Sequence, residues 1–236
     1  MQNKFRHRSF KAELMDRTPV SEESTIKNLH ELYFLNKYLG GHSASIKGIK
    51  RVIIDRKKIW HIADLGCGGG DTARHIGRWA RSHNVSVKIT GVDMNAKTIS
   101  FFNDFCKEYP EIKGVEADYC DYLSKSPNAD IIHCALFCHH LNDNELAELF
   151  NYINRNPGTV FIINDLQRNR LSYYLVWILT RVLNASRLAK HDGPLSVLRG
   201  FRRKELENFL QNARITNYSI NRKWAFRFLI TGYSNI

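Results

Sequence analysis

Residues 59–71 read Ile-Trp-His-Ile-Ala-Asp-Leu-Gly-Cys-Gly-Gly-Gly-Asp, and this stretch decides the fold. An apolar run ends at Asp64, and a turn follows. The glycines of that turn are Gly66, Gly68, Gly69 and Gly70. Next comes an amphipathic helical pattern that directs Ile76 inward. The stretch therefore predicts a buried strand, a glycine turn and a helix. In doubly wound folds such a turn lies under a nucleotide-like ligand, because residues without Cβ let the ligand approach the backbone amides.

The last position of the glycine loop indicates which ligand it binds. A dinucleotide loop reads Gly-x-Gly-x-x-Gly or Ala, and its third small residue lets the helix pack closely. Here Gly66 and Gly68 fit, but Asp71 occupies the third position, where its carboxylate would repel a pyrophosphate. No Lys-Ser/Thr pair follows the glycines, so a phosphate-binding P-loop is also excluded. The loop suits a nucleoside-like ligand that carries positive charge and no phosphate.

The pattern Asp64-x-Gly66-x-Gly68-x-Gly70 resembles the first motif of the class I S-adenosylmethionine-dependent methyltransferases. A later segment, His133-Cys-Ala-Leu-Phe-Cys-His139-His140-Leu141, resembles the small-molecule branch of that family, which includes ubiquinone- and menaquinone-type and polyketide-associated enzymes. The resemblance implies S-adenosylmethionine as the cofactor and S-adenosylhomocysteine as its product. It also implies an α/β, Rossmann-like doubly wound fold, whose mostly parallel seven-stranded sheet ends in an antiparallel hairpin.

From residue 59 onward, strand and helix patterns alternate, which is typical of a parallel sheet with helices on both faces. Strands are predicted near 59–65, 86–93, 112–117, 129–136 and 158–165. Helices are predicted near 71–82, 96–108, 143–154 and 203–212. A closing β-hairpin is predicted from the segments 215–220 and 224–230.

We expect two regions, an N-terminal helical cap over residues 1–58 and a methyltransferase domain over residues 59–236. The first twenty residues have no firm period and suit a mobile arm or a short helix. Ser21 then begins a helix that Gly40-Gly41 should end. This amphipathic helix either covers the open end of the sheet beside the ligand or packs on the back of the domain.

A helical insertion is predicted at residues 166–200, after the fifth strand, because this connection is too long for an ordinary αβ loop. Residues 171–183 are apolar and aromatic, but the run is too short, and too interrupted by Arg181, to span a bilayer. Three interpretations of residues 166–196 remain open: a lid over a hydrophobic substrate, a dimer contact and a membrane-surface helix.

Acidic side chains at strand ends are the main candidates for binding the cofactor. Asp93 follows the second strand and suits the two ribose hydroxyls, although it could instead cap the next helix. If Asp93 binds the ribose, Met94 would lie beside the adenine. The resemblance places Asp118 and Tyr119 at the adenine, although Asp118 could instead cap a helix, and it places Asp64 toward the methionine amino group. Asp64 could also hold the glycine loop. The full predicted cofactor set is Asp64, Gly66, Cys67, Gly68, Gly70, Asp93, Met94, Asp118, Tyr119 and Ala135.

Three histidines are candidate catalytic residues. A phenolic acceptor is helped by a base that takes its proton, and imidazole suits this task near neutral pH. His139 or His140 is the first candidate and His191 the second, while one of the adjacent histidines could simply bond to the backbone. Asp165 ends the fifth strand and could orient the substrate. No metal is expected, because Cys134 and Cys138 with the two histidines lack a second ligand cluster.

The net charge of +12 is distributed unevenly. Residues 1–60 contain 13 Lys/Arg and 6 Asp/Glu, residues 61–165 contain 9 and 14, and residues 166–236 contain 13 and 3. The predicted cofactor region is therefore acidic and both flanks are basic. Such flanks fit an acidic partner, an anionic membrane or nucleic acid, but they also fit an ordinary solvated surface.

The expected function is methyl transfer to a small hydrophobic or aromatic acceptor, by O-methylation of a phenolic or polyketide-like compound. One alternative is an RNA or DNA methyltransferase that uses the basic flanks, but no Asn/Asp-Pro-Pro-Tyr/Phe motif follows the fourth strand. The other is a non-catalytic module that binds S-adenosylmethionine. With five scattered cysteines and no signal peptide, we expect a cytoplasmic protein, either a monomer or a homodimer, with peripheral membrane contact as an option.

Overall fold

The strand, glycine turn and helix predicted from residues 59–71 are present in the computed structural model, which describes residues 4–17, 21–125 and 129–235. The side chains of residues 16 and 17 are outside that description. The strands are β1 Trp60–Leu65, β2 Val87–Asp93, β3 Ile112–Glu116, β4 Ile131–Ala135, β5 Val160–Leu166, β6 Tyr218–Lys223 and β7 Arg227–Tyr233. The helices are α1 Leu14–Arg17, α2 Glu22–Tyr38, α3 Gly41–Val52, α4 Asp71–Ser82, α5 Ala96–Cys106, α6 Tyr119–Lys125, α7 Asp143–Arg155, α8 Arg170–Val182, α9 Arg187–Arg199 and α10 Arg203–Asn212.

The strands form one seven-stranded sheet in the order β3-β2-β1-β4-β5-β7-β6. The pairs among β1 to β5 are parallel, while β7 runs antiparallel to both β5 and β6. The predicted doubly wound sheet with a terminal antiparallel hairpin is thus confirmed. The strand order reverses between β1 and β4, and ligands of such sheets bind at the carboxyl ends of the strands beside this reversal.

Helices cover both faces of the sheet because the strands alternate their side chains between two cores. Ala63 and Leu65 of β1 face a core formed with α7 and α10. Ile62, the residue before Ala63, faces a second core that contains Ile49 of α3 and Phe102 of α5. Both cores are closely packed, and truncating a fully buried residue such as Phe102 would cost about 3–5 kcal/mol. The sheet is therefore a rigid support for the loops at its carboxyl edge.

The predicted helix near residues 21–41 is correct, but a second helix directly after it was not predicted. α2 ends at Tyr38, Gly40 turns the chain with φ at +71°, and α3 begins at Gly41. A Cβ on Gly48 of α3 would come within 2.5 Å of Ile162 on β5. α3 approaches the sheet through small residues of this kind. Its buried face is therefore weakly apolar, and the hydrophobic pattern did not reveal it.

Two further predictions at the element level need correction. The predicted strand 224–230 begins only at Arg227, because Trp224 lies in the hairpin turn and is 75% exposed. Ala225 and Phe226 of this turn have φ values of +58° and +56°, so the chain reverses there. The short helix α6 after β3 was not predicted. The other predicted strands and helices agree with the observed ones to within a few residues.

The segment 166–200 is helical, as predicted, and consists mainly of α8 and α9. The N-terminal residues 4–17 lie against it, since Ser9 N donates to Leu198 O and Leu14 N donates to Asp192 Oδ1. Within the described ranges, no helix is both long and apolar enough to cross a membrane.

Candidate active site

The glycine loop between β1 and α4 has a tight inner side and an open outer side. Gly66, Gly68 and Gly70 all have positive φ values, of +63°, +52° and +79°. A Cβ on Gly66 would lie 2.1 Å from Phe137, and one on Gly70 would lie 2.8 Å from Cys106 and Phe102. A Cβ on Gly68 would meet no described atom within 4 Å. Gly68 is therefore the position at which a ligand can reach the loop backbone.

Cys67 lies on the inner side of the loop and is buried in the core. Its amide donates to Val92 O, which fastens the loop to β2. Burial raises the pKa of the Cys67 thiol well above its usual value. This neutral thiol packs under the loop, and only the backbone of Cys67 is available to a ligand.

Asp93, the predicted ribose ligand, lies at the end of β2 beside the glycine loop. Its Oδ2 accepts a hydrogen bond from Gly68 N at 3.3 Å, and its Oδ1 accepts one from Asn95 N at 3.0 Å. The side chain of Asn95, rather than that of Asp93, caps α5. The alternative role of Asp93 as the helix cap is therefore taken by another residue, and its carboxylate lies at the outer edge of the loop.

The residues predicted at the adenine lie at the neighbouring strand ends. Met94 is 76% exposed. Asp118 Oδ1 accepts hydrogen bonds from the amides of Cys120 and Asp121, so it stabilises the start of α6. The Tyr119 ring lies edge-on to Phe137 at 5.4 Å, and burial raises the pKa of its hydroxyl. Whether this group binds an adenine stays a prediction.

Asp64 belongs to a buried polar network that was only partly anticipated. Its Oδ1 lies 2.7 Å from His133 Nδ1, and His133 Nε2 lies 3.0 Å from Ser45 Oγ. Asn164 donates to the same Ser45 hydroxyl and to Gly41 O. The Ser45 hydroxyl can accept from Asn164 and donate to Nε2 of His133. In that arrangement the imidazole proton is on Nδ1 and is donated to the Asp64 carboxylate. Asp64 Oδ2 and Asn164 Oδ1 have no hydrogen-bond partner among the described residues.

A second buried network joins α2, α3, α4 and the start of β7. Asp71 Oδ2 accepts a hydrogen bond from Asn36 at 3.0 Å and lies 2.6 Å from His42 Nε2. Burial disfavours the Asp71 carboxylate, but the contacts with His42 and Asn36 outweigh this and lower its pKa. Arg227 donates to Asn36 Oδ1, while its Nε and Nη1 have no partner among the described residues. Burial lowers the pKa of Arg227 to about 10.

His139 and His140 lie in a buried polar cluster below α9. His139 Nδ1 lies 2.7 Å from Asp165 Oδ1, and the amide of His139 donates to Asp165 Oδ2. Although burial opposes ionisation of Asp165, its contact with His139 outweighs this and lowers its pKa. Glu13 Oε1 lies 3.8 Å from His139 Nε2, and its Oε2 lies 3.9 Å from His140 Nε2. The His140 side chain is 23% exposed and that of His139 only 3%.

Two buried arginines hold this histidine pair, and neither was predicted. Arg8 donates to the carbonyls of Leu141 and Arg199, and Arg199 donates to those of His139 and His140. Ligand atoms of Glu13, His139 and His140 lie within 4.8 Å of one another. Glu13 nevertheless already accepts a hydrogen bond from Ser196, and Arg199 Nε lies 4.0 Å away. Protein groups therefore already balance the charge of this carboxylate.

His191, the third histidine candidate, belongs to a different surface. It pairs with Asp192 at 2.7 Å and lines a groove between the N-terminal residues and helices α8 and α9. The groove has a volume of about 600 Å³. Its walls include Lys4, Arg8, Lys11, Tyr173, Trp177 and His191. Basic and aromatic side chains thus line this groove together.

Known proteins resemble this chain in sequence over one segment and in fold over most of its length. Residues 62–156 match the family model described as a methyltransferase domain. No curated protein matches the sequence. Among solved structures, the plantazolicin methyltransferase BpumL in complex with SAH superposes with a TM-score of 0.66 at 14% identity, over 91% of this chain and 94% of that one.

Two further structures match over most of this chain. An O-methyltransferase family 2 protein from Planctomyces limnophilus, in complex with apigenin, has a TM-score of 0.65 at 14% identity, over 93% of this chain and 63% of that one. A riboflavin-derivative dimethyltransferase, RosA from Streptomyces davawensis, has a TM-score of 0.64 at 16% identity, over 95% of this chain and 62% of that one. This chain spans only about half to two-thirds of the length of several matched structures. Residues 62–156 thus match the methyltransferase domain, and the chain has the Rossmann-like fold of methyltransferases.

Proposed function

We propose that the protein binds S-adenosylmethionine and transfers its methyl group to a small acceptor. The observation that carries this proposal is the open side of the glycine loop at Gly68, beside the Asp93 carboxylate. The methyltransferase-domain match to residues 62–156 supports it, as does the SAH in the complex of the plantazolicin methyltransferase.

The chemistry of the residues around the loop fits this cofactor. Asp93 is suited to the ribose hydroxyls, and Asp118 with Tyr119 to the adenine. At the other end, Asp64 Oδ2 can accept from an ammonium, and the unpartnered nitrogens of Arg227 can donate to a carboxylate. The loop glycines, Cys67 and Ala135 would contribute backbone groups. When bound, the cofactor supplies a methyl group already activated by a sulfonium.

The protein then has to align the acceptor with this methyl group and remove the proton of the acceptor hydroxyl. We assign His140 as the candidate base, since it is the more exposed of the adjacent pair and Glu13 lies close enough to stabilise its charged form. Asp165 and the two arginines fix the neighbouring His139, which we assign a positioning role. His191 is the alternative, and would act from the groove wall.

The groove that His191 lines suits an acceptor that is small, hydrophobic or aromatic. Tyr173 and Trp177 offer ring surfaces, and the exposed Lys4 and Lys11 offer positive charge to a phenolate or a carboxylate. The O-methyltransferase family 2 protein in complex with apigenin supports a phenolic acceptor and O-methylation, and the citrinin polyketide synthase CMeT domain supports a polyketide-like acceptor. The basic side chains of the groove favour the alternative, a nucleic-acid substrate.

Calorimetric titration with S-adenosylhomocysteine tests the proposal. We expect micromolar binding that Asp93→Ala weakens at least tenfold, or about 1.4 kcal/mol. Asp104→Ala is the matched control, because Asp104 is an exposed aspartate on α5 that pairs with Lys107, and it should leave the affinity unchanged. Intact, folded protein that binds neither S-adenosylmethionine nor S-adenosylhomocysteine would refute the proposal.

A further inference from the structure

Helix α8 has its apolar side turned outward. Its buried side chains are the polar Ser172 and Thr180. The five most exposed apolar side chains of α8 are Leu171, Tyr174, Leu175, Ile178 and Val182, which are 48–75% exposed. Their spacing of three or four residues places them along one side of the helix. A continuous apolar stripe of this kind on a protein surface marks a site of contact with another protein or with a membrane.

The surroundings of this stripe are positively charged. Arg170 and Arg181 are exposed on α8, and Arg187 is exposed at the start of α9. The Arg181 guanidinium lies 3.9 Å from the centre of the Trp177 ring, so a cation and an aromatic ring lie together beside the stripe. Asp192 is the only acidic residue between 166 and 200, and it is buried, accepting from the amides of Leu14 and Met15. This face is therefore both apolar and basic.

We propose that α8 lies in the surface of an anionic phospholipid bilayer. The stripe of Leu171, Tyr174, Leu175, Ile178 and Val182 enters the boundary between headgroups and acyl chains, and Arg170, Arg181 and Arg187 contact the anionic headgroups. Tyr174 and Trp177 are of the residue types that favour this boundary. The 13 residues of α8 extend over roughly 20 Å, so the helix lies along the surface and does not cross it.

The charge of the face favours a membrane over a second copy of the chain. In a twofold dimer through the stripe, the arginines of one copy would lie close to those of the other. Segment 166–200 has no exposed acidic side chain to pair with them, so these like charges would repel. The groove is lined by a neighbouring side of α8, which carries Tyr173, Trp177 and Arg181, and by none of the five stripe residues. Closing the groove therefore does not require the outward stripe.

Sedimentation with phospholipid vesicles tests the proposal. We expect the full chain to sediment with vesicles of phosphatidylcholine and phosphatidylglycerol, less with phosphatidylcholine alone, and less at high salt. The double substitution Leu175→Asp/Ile178→Asp should weaken anionic-vesicle binding at least tenfold. Ile54→Asp is the matched control, since Ile54 is 81% exposed after α3 and outside the stripe, and it should bind like the unmodified chain. Thermal unfolding of all variants should be unchanged, because the replaced side chains are exposed.

A second double variant tests the charge contribution. Arg170→Glu/Arg181→Glu should lose binding to anionic vesicles and keep its weak binding to neutral ones. Failure of the unmodified chain to sediment with anionic vesicles would overturn the proposal, as would equal loss in Ile54→Asp. A homodimer that Leu175→Asp/Ile178→Asp dissociates, without vesicle binding by the unmodified chain, would assign the stripe to a second copy instead.

Discussion

Gly66 and Gly68 have similar backbone conformations but different surroundings. Both have positive φ, and an alanine in this region costs about 1–2 kcal/mol. At Gly66 the added Cβ would also meet the Phe137 ring at 2.1 Å, whereas at Gly68 it meets no described atom within 4 Å. We therefore expect Gly66→Ala to lower the free energy of unfolding by about 1–3 kcal/mol more than Gly68→Ala.

Denaturant unfolding of the two variants measures this difference. Adding Phe137→Ala to Gly66→Ala should give a non-additive result, because the added methyl group then has room. Gly68→Ala should lose only the backbone cost of about 1–2 kcal/mol and should also lose affinity for S-adenosylhomocysteine, since its Cβ would occupy the open side of the loop. Equal destabilisation by the two alanines would contradict the inner and outer sides assigned to this loop.

At the same scale, His140 can be tested apart from cofactor binding. With a phenolic acceptor, His140→Ala should lower kcat by roughly 10²-fold or more, because general-base catalysis typically contributes 10²–10⁴. The affinity for S-adenosylhomocysteine should be unchanged. The rise of kcat with pH should also flatten, which a purely structural role would not produce. If His191→Ala causes this loss and His140→Ala does not, the base lies on the groove wall.

At the scale of elements, the N-terminal residues 4–13 form a strap, a segment that links the turn containing His139 and His140 to α9. Arg8 is the fastening point, because its guanidinium donates to the carbonyls of Leu141 and Arg199 and pairs with Asp143. Arg8→Ala leaves these buried carbonyls without a donor, so we expect the free energy of unfolding to fall by about 3 kcal/mol. Arg6→Ala is the control, since Arg6 is exposed two residues away, and its effect should stay within about 0.5 kcal/mol. Comparable denaturation midpoints for the two variants would contradict the strap.

At the scale of the whole molecule, the charge distribution separates the cofactor region from the basic flanks. Residues 61–165 contain more acidic than basic residues, whereas residues 166–236 contain 13 Lys/Arg and 3 Asp/Glu. We expect the chain to bind heparin in a strongly salt-dependent way, without a change in its affinity for S-adenosylhomocysteine. Calorimetry with and without heparin measures this. Heparin that displaces S-adenosylhomocysteine would move the assignment toward a nucleic-acid methyltransferase.

Local patterns were sufficient for most of the sheet and its helices. α4 at 71–82 and α10 at 203–212 begin and end where the sequence predicts, and for α4 the glycine turn and the apolar period agree. α3 escaped prediction because its close approach to the sheet uses Ala44, Ser45 and Gly48, which give no strong hydrophobic period. Trp224 was assigned to a strand because an aromatic residue suits both a strand and an exposed turn.

The sequence by itself determined the glycine loop, the order of the strands and most of the helices, and the acids at the strand ends, since each depends on residues that are neighbours in the chain. Only the tertiary structure decided which distant residues complete the site. Arg8 reaches Arg199 across 191 positions, and Arg227 reaches Asn36 across the same separation. His133 meets Asp64 because β1 and β4 pair at the point where the strand order reverses. Such contacts depend on strand order and helix packing, and no local period encodes them.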